Sequence, residues 1–406
     1  MKLISNIGKW FYELYDVWRR EFHIVFSDVG VLLFFFGLPL FYPIVYTLIY
    51  NPEVVDSIPV VVVDHSRTAE SRTLARTIND TPEIDIIGYA NDLSDARTAM
   101  NEKKCYGILE IPDDYARKIG NGEQAVVAWY DEMSLLLRYR AFLTALTNVQ
   151  LELGSRITAE RINATGLLGQ TVTGMAGEVA TESYFLGNPT QGFASFIMPG
   201  VLVLILQQSM LLGIAMLGGT SAERRRRNNG YDPLSRDASA VTTVLGRSLC
   251  YLVIYLPMSY YVMRMVPYMF ALPHVGSEWS YMPIILMMLL ATSFMGQAVV
   301  VFVRERETCL LVIVFTSLVF LFLSGLTWPR YAMSAFWKCI ADCVPATWGV
   351  EGAIRVLADG ATLEELRSDY LNLWILSGAY FILAVVVTHF LLPRHKDTLA
   401  KVPVEI

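Results

Sequence analysis

Between residues 183 and 222 the chain carries no charged side chain, and Arg224, Arg225, Arg226 and Arg227 follow almost at once. Roughly 20 apolar residues suffice for a helix to cross the hydrocarbon of a bilayer. Lipid offers the backbone no hydrogen-bond partners, so such a run can only be a helix. The spacing places this span at 193–217. Arginines collect on the cytoplasmic side of membrane proteins, so the stretch 220–237 fixes which way the chain faces.

Comparable runs occur at 29–50, 241–263, 281–303, 308–326 and 370–392, giving six crossings with both ends inside. Pro39, Pro43 and Pro257 are expected to kink their spans, and Arg247 to snorkel toward the cytoplasmic water. The loop through Arg264, Pro267, Pro273 and Glu278 is expected outside, and the turn Arg304, Glu305, Arg306 and Glu307 inside. Composition agrees. The 406 residues are 54% apolar and 12% aromatic, more than a soluble core of this size needs.

Residues 1–27 precede the first span, 28–50, as an amphipathic helix. Ile4, Ile7, Phe11, Leu14, Trp18, Phe22 and Val25 recur at helical spacing, against Lys9, Glu13, Asp16, Arg19 and Arg20. Such a helix lies along the membrane surface, its basic residues on the cytoplasmic side. No small-residue cleavage site follows the first span, which reads as an anchor.

Residues 51–190 change character: charges appear and apolar runs shorten. The pattern predicts strands at 59–63, 84–87, 106–111 and 125–130, with helices between them and a long helix over 134–164. That alternation points to an α/β domain with a small parallel or mixed sheet. One crossing precedes it, so it is placed outside the cytoplasm. Asp64, His65 and Ser66 are hydrolase residue types, but adjacent residues cannot converge as a triad; they are read as a strand end and helix cap.

The remainder, 191–393, holds five spans and an external segment, 327–369. There Trp328, Trp337 and Trp348 punctuate pieces too short to span, which predicts a re-entrant or interfacial helix pair. A cytoplasmic tail, 394–406, closes the chain.

Five cysteines show no CxxC and no Cys/His ligand spacing, so neither a disulfide framework nor a metal site is expected. Cys339 and Cys343 share a helix face, as two packed thiols or as an oxidised pair. The net charge of −6 and the lack of a basic stripe away from the spans argue against nucleic acid as a partner. No G-x-x-x-x-G-K-[ST] is present; the glycines of 166–174 come without a lysine and read as a flexible return from the long helix. This chain is therefore expected to bind no cofactor and to perform no catalysis of its own. Gln207 and Gln208 lie mid-span, where polar groups need a partner, either an interhelical hydrogen bond or a translocation path.

Several segments together resemble the permease subunits of type 2 ABC exporters, in the branch with a large extracytoplasmic domain after the first span. "IPVVVVDHSRTAESRTLARTIND" is similar to that branch's strand–Asp-x-Ser–helix opening, and "CYGILEIPDDYARKIGNGEQAVVAWYDE" to its Gly-x-x-x-x-Pro segment, here Gly107 and Pro112. "FIMPGVLVLILQQSMLLGIAML" resembles the second span, with Pro199, Gln207 and Gln208. "VFLFLSGLTWPR" resembles the signature closing the fifth span, here Ser324, Gly325 and Pro329, and "VPATWGVEGAIRVLADGAT" the segment after it, with Pro345, Thr347 and Gly360.

The resemblance implies an α-helical integral membrane protein with six transmembrane helices and an α/β extracytoplasmic domain between spans one and two. It implies a homodimer, or a dimer with a similar permease, in a bacterial inner membrane. A cytoplasmic ABC ATPase subunit would carry ATP and Mg, and an extracytoplasmic adaptor would be a further partner. The ATPase would touch the interfacial helix, through Phe11, Trp18, Arg19 and Arg20, and the loop with Glu223, Arg224, Arg225, Arg226, Arg227 and Gly230. That loop departs from the family's Glu-Arg-Glu-Arg-Gly-Thr: here Glu223 precedes four arginines, Asn228 and Asn229. Export of a drug, lipid or peptide-like molecule by alternating access would use a path lined by Gln207, Gln208, Phe315 and Phe320. Phe315 and Phe320 also suit plain packing or lipid contact. The competing readings are a membrane-anchored interaction or secretion-accessory protein, and an integral membrane enzyme. The spans hold neither paired carboxylates nor a histidine cluster for the latter.

Overall fold

The computed structural model describes residues 2–50, 54–132, 135–164, 192–228, 238–303 and 305–391, with Asn188, Asp232 and Leu234. Gly230, the glycines of 166–174 and the tail 394–406 lie outside the described residues. The chain divides into two compact units, Met1–Glu53 with Phe185–Ile406, and Val54–Tyr184.

The first unit is helical. Helix α1 (Lys2–Ser27) is followed by α2 (Val29–Tyr50). Asp28 separates them because its carboxylate accepts hydrogen bonds from the amides of Gly30 and Val31, capping α2. A π-helical turn, Leu33–Gly37, precedes Pro39, whose ring nitrogen has no hydrogen to give residue 35.

The longest helix among the described residues, α7 (Phe193–Arg227), is 35 residues, roughly 52 Å at 1.5 Å per residue. It is the spine of the unit: Met198, Leu202, Leu206 and Met210 are all buried in the main core. The remaining long helices are α8 (Ala240–Met269), α9 (Glu278–Val300), α10 (Arg306–Leu323) and α13 (Arg367–Leu391). With α2 and α7 they make six helices long and apolar enough to cross a membrane.

Between α10 and α13 come a single 3-10 turn, Arg330–Ala332, and two short helices, α11 (Ala335–Asp342) and α12 (Pro345–Leu357). Small residues let α12 approach the spans: Gly349 sits against Met288 and Val203. Leu311, Phe315, Leu318 and Phe322, spaced three and four apart, leave one apolar face of α10 exposed.

Three local expectations change. The four arginines are not in a loop; Ala222 and Glu223 carry the helix on, and cations at its C-terminal turn complement its dipole. Arg264 and Pro267 are likewise helical, within α8, and Arg264 pairs with Glu278 at 2.8 Å. Cys339 and Cys343 are exposed free thiols rather than packed ones, the Cys343 Sγ donating to the Cys339 carbonyl at 3.4 Å.

In the second unit β1 (Ile58–Asp64), β2 (Ile84–Ala90), β3 (Gly107–Ile111) and β4 (Ala128–Asp131) form one sheet in the order β2-β1-β3-β4. β1 is parallel to both neighbours, and β4 runs antiparallel to β3. Helices α3 (Ala69–Asn79), α4 (Leu93–Asn101) and α5 (Tyr115–Asn121) connect the strands, and α6 (Leu136–Ala164) follows them. Strand β1 is buried on both faces, as a central parallel strand should be. Val60 and Val62 meet Leu74, Ile78 and Phe142, while Val61 and Val63 meet Ala96 and Ile108. Asp64, His65 and Ser66 form no triad. Thr68, not one of those three, caps α3, in a capping box with Ser71. Asp64 accepts from the Ser71 hydroxyl at 2.7 Å, and His65 lies 3.4 Å from Glu110.

Candidate functional site at the basic end of the bundle

One end of the helical unit gathers the last turns of α7, the first turns of α8 and α10, and α1. Among the described side chains of helix α1, Val17, Glu21 and Val25 are buried, while Ile7 and Phe11 of the apolar stripe are exposed. Glu21 lies off that stripe and faces α8. Its carboxylate accepts from the Tyr251 hydroxyl at 2.5 Å and lies 3.3 Å from the Arg247 guanidinium, so a charge can be buried. Arg247 therefore turns inward to α1 rather than snorkelling. Gly246 leaves the room that Val17 fills, which brings the two helices close. Trp18 is half-buried, stacked on Tyr15 and tilted against Phe22; Arg19 is exposed and Arg20 pairs with Asp16 at 3.2 Å.

The four arginines have four different surroundings. Arg224 folds back on Asp232, donating from Nε and Nη2 at 2.9 and 3.1 Å. The Ser221 hydroxyl donates to the same carboxylate at 2.6 Å. Burial alone would raise the Asp232 carboxyl, but these hydrogen bonds and the Arg224 charge hold it below the usual carboxylate range. Arg225 donates to the Ser221 Oγ at 2.8 Å. Arg226 reaches Glu305 at 3.3 Å on the surface, and Arg227 is exposed. Glu223 accepts from the backbone amide of Arg306, the first residue of α10, at 3.1 Å. A carboxylate there suits the positive end of that helix.

A second cluster ties three elements together. The Arg306 guanidinium donates to Asp28 Oδ1 at 2.5 Å, and the Thr220 hydroxyl to Asp28 Oδ2 at 3.3 Å. The start of α2, the end of α7 and the start of α10 are thus held by one aspartate. Between α1, α7, α8 and α9 lies a cavity of about 80 Å³ lined by Arg224, Arg225, Arg247, Glu21, Asp232 and Gln297, among others.

Residues singled out elsewhere lie apart from this end. The Gln207 side chain is fully buried and its carbonyl accepts from the Thr292 hydroxyl at 3.4 Å, while its amide nitrogen has no partner. Gln208 donates to the Ile313 carbonyl at 2.5 Å, joining α7 to α10. Phe320 packs into the core, but Phe315 points away from it, 70% exposed. The structure does not gather these four around one space within the chain.

At the opposite end, Ser324 closes α10 by donating to the Leu321 carbonyl, and Gly325 takes a left-handed φ of 86°. Pro329 opens the 3-10 turn and Pro345 the first turn of α12. They aim Arg330, which bonds both Asp342 and Glu351 and stacks on Trp348 at 4.3 Å.

Sequence reasoning found the arginines and missed their partners Glu21, Asp28 and Asp232. The available signal was an acid inside or beside an apolar or basic membrane-flanking segment. Such a group must find a cation or leave the site.

A comparison with curated proteins finds no match. The family profile described as "ABC-2 family transporter protein" matches residues 30–386, most of the chain. The chain therefore belongs to the ABC-2 transporter family, the type 2 ABC permeases.

Proposed function

We propose that the chain is the membrane subunit of an ATP-driven exporter, with the arginine end in the cytoplasm and a separate ABC ATPase docked there. The family implies the ATPase partnership. The observation that carries the rest is the construction of the basic end. Asp28, Glu223, Arg306, Glu21 and Arg247 lock α1, α2, α7, α8 and α10 into one block, and Arg226 and Arg227 remain on its surface. A push on such a block is not absorbed locally. It passes along α7, whose far half packs on α12, to the other end.

In this reading the chain hydrolyses no ATP and holds no cofactor. Two copies, or this chain and a similar one, would meet across a shared path, and the outward face of α10 with Phe315 is available to such a partner. Closure of the ATPase would switch which end of that path is open. Tyr50 and Phe193 meet edge to face at 5.1 Å between ring centroids, at the end of the helical unit away from the arginines. With the arginines inside, residues 54–184 are outside, where they would meet an adaptor. The cargo proposed is an amphipathic or hydrophobic molecule, since the exposed faces of the spans offer it apolar walls.

The test is purification of the full-length chain from its own membranes. A span-less P-loop ATPase is expected to co-purify, and to be lost on Arg226→Glu with Arg227→Glu while thermal stability is unchanged. Failure of any ATPase to accompany the wild-type chain would overturn the proposal.

A further inference from the structure

The cavity at the basic end contains an imbalance that the docking role does not use. Four guanidiniums line it, those of Arg20, Arg224, Arg225 and Arg247. Three have a carboxylate: Arg20 pairs with Asp16, Arg224 with Asp232 and Arg247 with Glu21. Arg225 has none among the described residues. Among the described residues its side chain makes one hydrogen bond, to the Ser221 Oγ, whose own hydrogen is given to Asp232. Glu21 and Asp232, the two acids in the lining, spend their salt bridges on Arg247 and Arg224, and Asp232 acts on Arg225 only through its field.

Arg225 is half-buried, and the N–H groups it does not give to Ser221 can donate to water or to an anion. Its planar fork matches phosphate oxygens. The space of about 80 Å³ takes several waters and hence a tetrahedral oxyanion, and Thr243 and Gln297 in the wall add polar groups. Basic pockets between helices at a membrane face suit the headgroups of anionic lipids.

We propose that this cavity binds a phosphate group, mono- or diesterified, with Arg225 as its principal ligand. Binding would stitch α1 to α7 and α8 and so stiffen the block. The inference is independent of export and of the ATPase.

The test uses the detergent-purified full chain and follows its melting temperature against inorganic phosphate, dioctanoyl phosphatidylglycerol and dioctanoyl phosphatidylcholine. A saturable rise with phosphatidylglycerol alone assigns the site to a lipid headgroup; a rise with inorganic phosphate as well assigns it to the phosphate group itself. Either supports the proposal if Arg225→Gln weakens the apparent affinity at least tenfold and Arg227→Gln leaves it unchanged. Without ligand, Arg225→Gln should be as stable as wild type or more so, because burial and the neighbouring Arg247 and Arg224 disfavour a charge there more than Asp232 favours it.

Three outcomes overturn the proposal. One is no response to either anion. Another is equal loss in Arg227→Gln, which marks diffuse attraction. The third is an Arg225→Gln chain markedly less stable without ligand, which shows the charge already satisfied. If the wild type ignores phosphate while Arg225→Gln loses the ATPase, the cavity takes an acidic side chain of that partner instead, and the proposal fails.

Discussion

Asp232 changes what the four arginines mean. With its side chain 4% exposed, it converts Arg224 from a free surface cation into half of a buried pair. Removing one member strands the other, which costs roughly 3 kcal/mol or more. Arg224→Gln is therefore expected to lower stability, whereas Arg227→Gln, on an exposed residue, should not. The pair also sets a pH dependence. The folded carboxyl lies below its unfolded value, so its stabilising contribution is complete above that value, near pH 4, and is lost as pH falls through the folded value. Melting curves between pH 7 and pH 3 should show Asp232→Asn less stable than wild type at neutral pH and losing less on acidification. A parallel fall of both proteins would show that Asp232 carries no such linkage. None of this was legible beforehand. An aspartate eight residues after an arginine, across Asn228, Asn229 and Gly230, gives no spacing signal, because the return of the chain decides whether they meet.

Elements were more legible than their ends. Strand β1 announced itself as an unbroken β-branched run, and the six long helices as charge-free stretches, because burial and lipid both demand apolar side chains over a fixed length. The ends failed where polar residues are also good helix formers. Ala222, Glu223 and the arginines extend α7 beyond the apolar window, and the π-helical turn Tyr261–Met265 carries α8 past Arg264. Two contacts between elements can be tested. A side chain at Gly213 would occupy the Phe35 ring position, so Gly213→Val should force α2 off α7 at a cost of about 1–3 kcal/mol, read as a lower melting temperature. Unchanged melting would mean that the two helices do not pack there. At the other end Arg330 uses its fork on two carboxylates and its plane on Trp348. Lysine keeps the charge and loses both geometries, so Arg330→Lys should still cost roughly 2 kcal/mol and loosen α11 and α12, seen as faster proteolysis between 324 and 345. Wild-type resistance in that variant would reduce Arg330 to a generic charge.

For the whole molecule, the sequence-derived expectation of a helical membrane protein of this family stands on residues 30–386, and six helices have the length and composition to span. The translocation path was not legible. Gln207 and Gln208 turn to α9 and α10 as interhelical partners, and Phe315 faces away from both. One chain supplies at most one wall of a path between copies, and no periodicity reports where the other wall lies. The two ends of the bundle do differ in a way the chain itself encodes. One carries Arg226 and Arg227 on its surface; the other presents Trp337 and exposed apolar helix faces.

The most direct measurement is site-specific photo-crosslinking, in membranes, from a probe residue placed at 227 and, separately, at 337. If the basic end is where energy enters, the probe at 227 will capture a span-less P-loop ATPase and the probe at 337 will not. Capture from 337 with none from 227 would contradict the account.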